Sequence, residues 1–438
     1  MATRRGMKGI DRISELPDPL ICQILSYPSV KDAVRTSVLS TRWRSLWLWV
    51  PNVVLYSRDF PDLHVFKSFG DRFFNCGMTS CIQKLQLSLF DNENESYLTS
   101  WIDAASKRKL RHLDVWCVPD YQTCEIPISV YTCETLVTLN LCEVILRDAG
   151  FVSLPCLKTM RLRDLRYPDD ATFERLVSCS PVLEELEFSG YFDVSRVFRV
   201  HTPSLKSLKT QIWNRDGMFQ VVIDAPQVRV LTIYDNDSGS YIIKNLSSSF
   251  KLDILLSFGK WAEEERVSSM RNRIRHFLPG ISNVGEMKIY VGTVKVFGHY
   301  FKFERLPQFY YLSRLVARVN VSDLKWLPTF LQSCPNIKFL AMSLVYMGGG
   351  KEVRPEEVEH FSFSYVPECS LSSLESVDIQ SSIRGTVAEM KLVRYFLENS
   401  IILKTLTLDL KYRENEYAIL KELLNIPRRS ITCQVLVR

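Results

Sequence analysis

The chain has 438 residues, 46% hydrophobic and 24% charged, with 55 Lys and Arg against 49 Asp and Glu, which fits a folded protein and excludes a disordered one. Its longest apolar stretch, Leu46 to Tyr56, is broken by Pro51 and Asn52 and falls short of the roughly 18 residues a membrane helix needs. The basic start lacks the apolar run of a secretory signal, so an intracellular protein of nucleus or cytoplasm is expected.

The cysteines scatter from Cys22 to Cys433 without a C-x-x-C pair, which points to buried free thiols and away from a zinc site or a disulfide framework. Neither a metal nor a cofactor is expected. The basic clusters Arg4-Arg5, Lys107-Arg108-Lys109 with Arg111, and Arg271/Arg273/Arg275 lie far apart and carry no nucleic-acid module signature. Each reads as a solvated face, and nucleic acid is not an expected partner.

In chain order, the first informative segment is Asp11 to Pro51. Asp18 before Pro19 signals a helix start, Asp18 as cap and Pro19 in the first turn. Leu20, Ile21, Ile24 and Leu25 follow at helical spacing until Pro28. Ser29 with Asp32 resembles a capping box opening a second helix whose less polar side carries Ala33, Val34, Ser37 and Val38. A third short helix is expected to carry Trp43, Leu46 and Trp47. About forty residues cannot close a core unaided, so the rest of the chain or a partner must cover part of these faces.

The run Leu16-Pro17-Asp18-Pro19-Leu20-Ile21-Cys22-Gln23-Ile24-Leu25-Ser26, continued by Lys31 to Trp47 (KDAVRTSVLSTRWRSLW), resembles an F-box. It is similar to those of the plant families that join this motif to leucine-rich repeats. The resemblance implies docking on a Skp-type adaptor, and through it on a cullin scaffold, with Leu16, Pro17, Ile24, Leu25, Val38, Leu39 and Trp43 forming or supporting the docking face. Where such relatives read Leu-Pro-Thr, this chain reads Pro28-Ser29-Val30. The change predicts a lost buried leucine at position 28, worth about 2–5 kcal/mol if the gap is not refilled, with Val30 as the partial replacement and weaker docking as the consequence.

From Ile82 a pattern φ-x-x-φ-x-φ recurs, φ being apolar, with first members Ile82, Leu110, Leu136, Leu157, Leu183, Leu205, Val228, Leu252, Val284, Leu312, Ile337, Leu374 and Leu403. Most spacings fall in or near the 20–29 residues of a leucine-rich repeat, a strand plus a return segment. Leu205 lacks its third apolar residue at Thr210 and Leu252 lacks one at Ser257, and the register is least defined over residues 235–310. Ser178-Cys179-Ser180-Pro181, Ser333-Cys334-Pro335 and Glu398-Asn399-Ser400 each read as a helix end turning into a strand.

The fold class is therefore α/β: an N-terminal three-helix F-box, a leucine-rich-repeat solenoid with a curved, mainly parallel sheet, and a C-terminal region. That last region, from Val366-Pro367-Glu368-Cys369 to Ile426-Pro427-Arg428-Arg429-Ser430, resembles the FBD domain. Expected bounds are 8–56, 57–365 and 366–438, the last ending in a closing helix around Glu416 to Leu424.

Repeat leucines are committed to the core, so selectivity rests on the residues between them, which alternate onto the concave face. There Trp116, Arg161, Arg163 and Tyr234 are the substrate-binding candidates, being of the types that dominate binding hot spots. The plainer alternative is a solvated face with Arg161 and Glu187 paired across strands. No phosphate loop, G-x-S-x-G or H-E-x-x-H occurs, and Gly348-Gly349-Gly350-Lys351 fits a turn. The expectation is a non-catalytic substrate receptor of a Skp–cullin–F-box ubiquitin ligase. The alternative is a leucine-rich scaffold or small-ligand receptor without ligase coupling.

Overall fold

Ser29 opens the second helix, Val30–Arg35, as its spacing to Asp32 predicts: its Oγ accepts from the Asp32 amide at 3.2 Å and donates to Asp32 Oδ2 at 2.7 Å. The computed structural model describes residues 13, 15–75, 81–90, 96–117, 124–167, 169–191, 196–213, 219–235, 239–257, 264–348, 351–352, 362–363, 365–410 and 416–438. Arg4, Arg5, Lys8, Asp11, Cys76, Gly349 and Gly350 lie outside them. Two units divide the chain, residues 1–189 and 190–438.

In the first unit, helix Asp18–Leu25 starts one residue earlier than its cap signal implies. Pro17 holds the N-cap position, and Asp18 caps nothing, because its Oδ1 accepts from Arg42 Nε at 3.0 Å and Nη2 at 2.6 Å. The expected third helix is also corrected. Trp43 sits in a turn and only Leu46–Trp49 winds, as a 3₁₀ segment. The second helix likewise ends at Arg35 and tightens into a 3₁₀ turn, Thr36–Val38, which takes Val38 off the buried side of Ala33. Packing explains both: Trp43, Leu46, Trp47 and Leu48 are all buried, which a straight helix with one apolar stripe does not allow. Trp47 stacks on Phe69 at 5.3 Å, from helix Leu63–Phe74.

Six strands follow in parallel succession: Asn52–Tyr56, Lys84–Ser88, His112–Trp116, Thr138–Cys142, Thr159–Arg163 and Glu185–Tyr191. Leu85, Leu113, Leu139, Met160 and Leu186 share one register line, and Leu87, Val115, Leu141, Leu162 and Phe188 the next. All ten are buried, each burial contributing about 1.5–3 kcal/mol gross. Strand Asn52–Tyr56 is a repeat strand that the pattern starting at Ile82 missed, with Val53 and Leu55 buried. Helices Leu63–Phe74, Ser96–Ser106 and Asp170–Ser178 serve as return segments.

In the second unit, nine strands run parallel in the order Ser207–Trp213, Val230–Asp235, Phe250–Leu256, Val284–Ile289, Arg314–Asn320, Phe339–Val345, Ser376–Ser382, Thr405–Asp409 and Gln434–Val437. A separate three-stranded parallel layer, Arg196–His201, Phe219–Asp224 and Ser240–Lys244, replaces helices as return segments.

The register at Leu252 is corrected here. Leu252 pairs with Leu231 and Ile254 with Ile233, so Leu252 is the second φ of its copy and Ser249, three residues earlier, the first. Ser249 has φ 65°, and Phe250 fills the buried place beside it. Thr210 is buried like the apolar residue it replaces, its hydroxyl 3.5 Å from that of Tyr241. The three helix-to-strand signatures stand where they were read: helices Asp170–Ser178, Leu327–Gln332 and Val387–Asn399 each lead into a sheet strand. The closing helix is Glu416–Asn425, and the strand Gln434–Val437 after it was not foreseen.

Candidate functional site

Helix Asp18–Leu25 is apolar on two faces. Ile21 and Leu25 point inward, Leu25 being 2% exposed, whereas Leu20 and Ile24, one turn apart, face outward with Ile24 at 43%. Beyond the second helix, Val38 is 84% and Leu39 66% exposed, and Tyr27 and Ile13 are open as well. Single exposed apolar residues are ordinary. This many on so short a segment marks an interaction surface.

The seven residues expected at the docking face thus divide by role. Pro17, Ile24, Val38 and Leu39 are exposed, Leu16 is half-buried, and Leu25 and Trp43 lie in the core, where they support the face from behind. Arg42 brings the pieces together, since its guanidinium also donates to the Leu16 carbonyl while holding Asp18. Leu20 and Tyr27 are exposed on the same segment and were not among the seven. The signal for Leu20 was available: on a helix it shares a face with Ile24, separate from that of Ile21 and Leu25. Pro28 is exposed and Val30 buried, so position 28 holds no emptied core slot and the expected cavity cost does not arise.

On the sheet face of the first unit, the middle row reads Gln86, Asp114, Asn140, Arg161, Glu187 across successive strands. The next row contains Ser88, Trp116, Cys142, Arg163 and Ser189. Arg161 is paired with Glu185 at 3.3 Å and Glu187 at 3.7 Å, as the plainer alternative expected. Trp116 packs on Phe90 at 4.9 Å, and the Arg58 guanidinium lies 3.5 Å from the Phe90 ring centre. Arg163 is exposed. Burial pushes the neighbouring Cys142 thiol up to about 11 against the pull of that guanidinium.

Tyr234 belongs to the second unit. Its ring meets Tyr290 edge-on at 6.0 Å, the two hydroxyls 3.3 Å apart, and Asp253 and Lys288 complete a polar cluster with a 3.4 Å ion pair. Burial raises both tyrosine hydroxyls above their usual range, Tyr234 the more. Of the four substrate-binding candidates, Trp116, Arg161 and Arg163 belong to the first unit and Tyr234 to the second. Among the described residues no group of His, Cys, Asp and Glu is arranged to hold a metal, and no helix is long and apolar enough to cross a membrane. Of the described cysteines, Cys22, Cys117, Cys124, Cys133, Cys334, Cys369 and Cys433 are buried free thiols.

A helical head with an outward apolar face, followed by repeat strands, defines an F-box protein with leucine-rich repeats, and comparison with known families agrees. The F-box domain model matches residues 13–55, the model described as "FBD-associated F-box protein At5g56370, LRR repeats" matches 98–260, and the FBD model matches 362–408. A putative FBD-associated F-box protein of Arabidopsis thaliana, At5g53635, is 52% identical over 97% of this chain and 99% of its own length. Two putative F-box/FBD/LRR-repeat proteins of the same plant, At2g05300 and At5g25850, are 43% and 44% identical, each over 98% of this chain and over 97% and 95% of their own lengths. The chain belongs to the plant F-box/FBD/LRR-repeat family.

Proposed function

We propose that the protein is the substrate-recognition subunit of a Skp–cullin–F-box ubiquitin ligase, acting in the nucleus or cytoplasm. The observation that carries this reading is the outward apolar face of the head, Leu20, Ile24, Val38 and Leu39, left uncovered although the inward face of the same helix is packed. A Skp-type adaptor covers that face and couples the chain to a cullin scaffold. The repeats hold a protein substrate through side chains between the buried leucines, with Trp116, Arg163 and Tyr234 as candidate contacts and Arg161 engaged in its own ion pairs. The domains divide at 8–56, 57–365 and 366–438.

In this reading the chain performs no chemistry. It raises the effective concentration of substrate beside a separate ubiquitin-conjugating enzyme. The test is co-purification of the full chain with a Skp-type adaptor. Recovery of adaptor by the wild type and its loss from Ile24→Asp/Leu39→Asp support the proposal, and failure of the folded wild type to retain any Skp-type adaptor overturns it.

A further inference from the structure

The second unit is open at its last strand. Gln434–Val437 pairs with Thr405–Asp409 on one side, and among the described residues no strand pairs with its other side. The amides of Gln434 and Arg438 donate inward, to the carbonyls of Lys404 and Leu408, so by strand alternation the backbone groups of Val435 and Val437 point to the free edge. The core is open there as well. Ile379, Leu408 and Val437 share one register line, and the first two are fully buried whereas Val437 is 41% exposed. Edge strands are ordinarily guarded by charged residues or proline, and a terminal repeat by a polar outer face. Residues Cys433 to Val437 include neither a charge nor a proline.

The closing helix, Glu416–Asn425, does not seal this end. Its Ile419 and Leu423 are buried, and its Glu422 turns back to Arg394 of helix Val387–Asn399 at 3.5 Å. With 3.6 residues per turn, Tyr417, Leu420 and Leu424 stand about 140–160° around the helix from Glu422, on the flank that a further repeat would cover. Tyr417 is 81% and Leu424 79% exposed, with Leu420 half-buried between them. In the turn before the last strand, Ile431 is exposed as well.

We propose that a second copy of the chain covers this end, the two last strands pairing antiparallel about a two-fold axis. Val435 of each copy then lies opposite Val437 of the other, the register in which every outward backbone group of the pair is used. The helix stripes meet antiparallel, Tyr417 against Leu424. Self-complementarity selects this occupant: strand and stripe are neutral, so two copies meet without like charges, and Arg438 falls beside Gln434 and not beside itself. Tyr417, Leu424, Ile431, Leu436 and Val437 expose on the order of 600 Å², which with the strand edge approaches the roughly 800 Å² that each partner gives to a stable interface. The pairing is independent of the ligase reading, because none of its residues belongs to the head.

The test is sedimentation equilibrium of the full chain, as wild type and as Ile24→Asp/Leu39→Asp, which removes any association through the apolar face of the head. A mass of twice 50.8 kDa in both, with a Kd of about 1 μM or tighter, is the expected result. Leu424→Asp, at an exposed position, weakens the dimer about tenfold or more. Val437→Pro does the same, because it removes an outward donor and leaves the bonds to Thr405–Asp409 in place. If the proline variant does not fold, Leu424→Asp carries the test alone. A monomer at about 50 μM, masses that grow past the dimer with concentration, a dimer lost in Ile24→Asp/Leu39→Asp, or one unchanged in Leu424→Asp overturns the proposal.

Discussion

Arg42 and Asp18 are 2.6 Å apart, Nη2 to Oδ1, and join the segment that follows Leu39 to the first turn of the helix that carries Ile24. An exposed ion pair of this kind contributes about 0–1 kcal/mol. Its larger effect is on position, because Arg42 also holds the Leu16 carbonyl and so fixes Leu16 and Pro17 against the second exposed segment. Arg42→Ala is expected to cost the head about 1 kcal/mol and to weaken adaptor binding several-fold. Hydrogen exchange at residues 16–20 and an adaptor titration check this, and Arg42→Lys, which keeps charge but loses the forked geometry, recovers only part of the affinity.

The division of the seven residues expected at the docking face predicts two kinds of variant. Val38→Asp or Leu39→Asp changes a side chain that stands in solvent, so stability stays within about 0.5 kcal/mol while adaptor binding falls about a hundredfold. Trp43→Ala removes a side chain that is 4% exposed, costs about 3–5 kcal/mol, and loses adaptor through unfolding of the head. Circular dichroism and adaptor pulldown on the same preparations separate the two. An unfolded Val38→Asp, or a stable Trp43→Ala that still lost adaptor, would reverse the assignment.

The contrast between these residues shows what the sequence could convey. The repeats were legible because each copy must bury the same few side chains at the same spacing, and Leu113, Leu139, Met160 and Leu186 fall on one register line as the pattern requires. The slip at Leu252 arose where Phe250 takes over a buried place and Ser249 adopts a left-handed backbone, so apolar spacing no longer tracks strand position. In the head, inward and outward apolar residues look alike in composition. Only their angular positions separate Leu25 from Ile24, and the two tryptophans override regular helix geometry.

Burial holds the hydroxyls of Tyr131, Tyr241, Tyr346 and Tyr395 well above the usual tyrosine value, and the Cys369 thiol at about 12. A raised folded pKa contributes stability that is complete below the unfolded value, near 10 for tyrosine, and is lost as pH rises beyond it. The protein is therefore expected to lose stability above about pH 10, by about 1.4 kcal/mol per pH unit for each fully buried group such as Tyr241. Urea midpoints between pH 8.5 and 11 test this, together with tyrosinate absorbance, which should show fewer than the 18 tyrosines ionising until the chain unfolds. Ionisation of all of them at pH 10.5 in a folded chain would contradict the burial.

Glu389 is fully buried at the start of helix Val387–Asn399. Its Oε2 accepts from the Arg384 and Thr386 amides at 2.9 Å each, and Oε1 accepts from the Tyr346 hydroxyl. The carboxylate thus closes a capping box and ties the helix to the segment after strand Phe339–Val345. Thr386→Ala removes one half of the box and should cost about 1 kcal/mol. Glu389→Ala strands three donors and should cost about 3–5 kcal/mol. Hydrogen exchange over residues 384–399 reports the difference locally, and equal losses in the two variants would show that the tie to Tyr346 is without weight.

Gly70, in helix Leu63–Phe74, has no room for a side chain: a Cβ there would stand 2.0 Å from Cζ2 of Trp101. Trp101 is fully buried between Phe66 and Phe74, and its Nε1–H donates to Asp71 Oδ1 at 2.8 Å, so the indole cannot retreat without breaking that bond. Alanine would favour the helix by up to about 1 kcal/mol. The clash is with a ring clamped on both faces, and overpacking of that kind costs about 1–3 kcal/mol or more, so Gly70→Ala should destabilise the first unit despite the propensity gain. Trp101→Phe makes space, and Gly70→Ala should cost less on that background than on the wild type. A double-mutant cycle read by urea unfolding measures the coupling, and additive effects would mean that the close approach of helix and indole is not what keeps glycine at position 70.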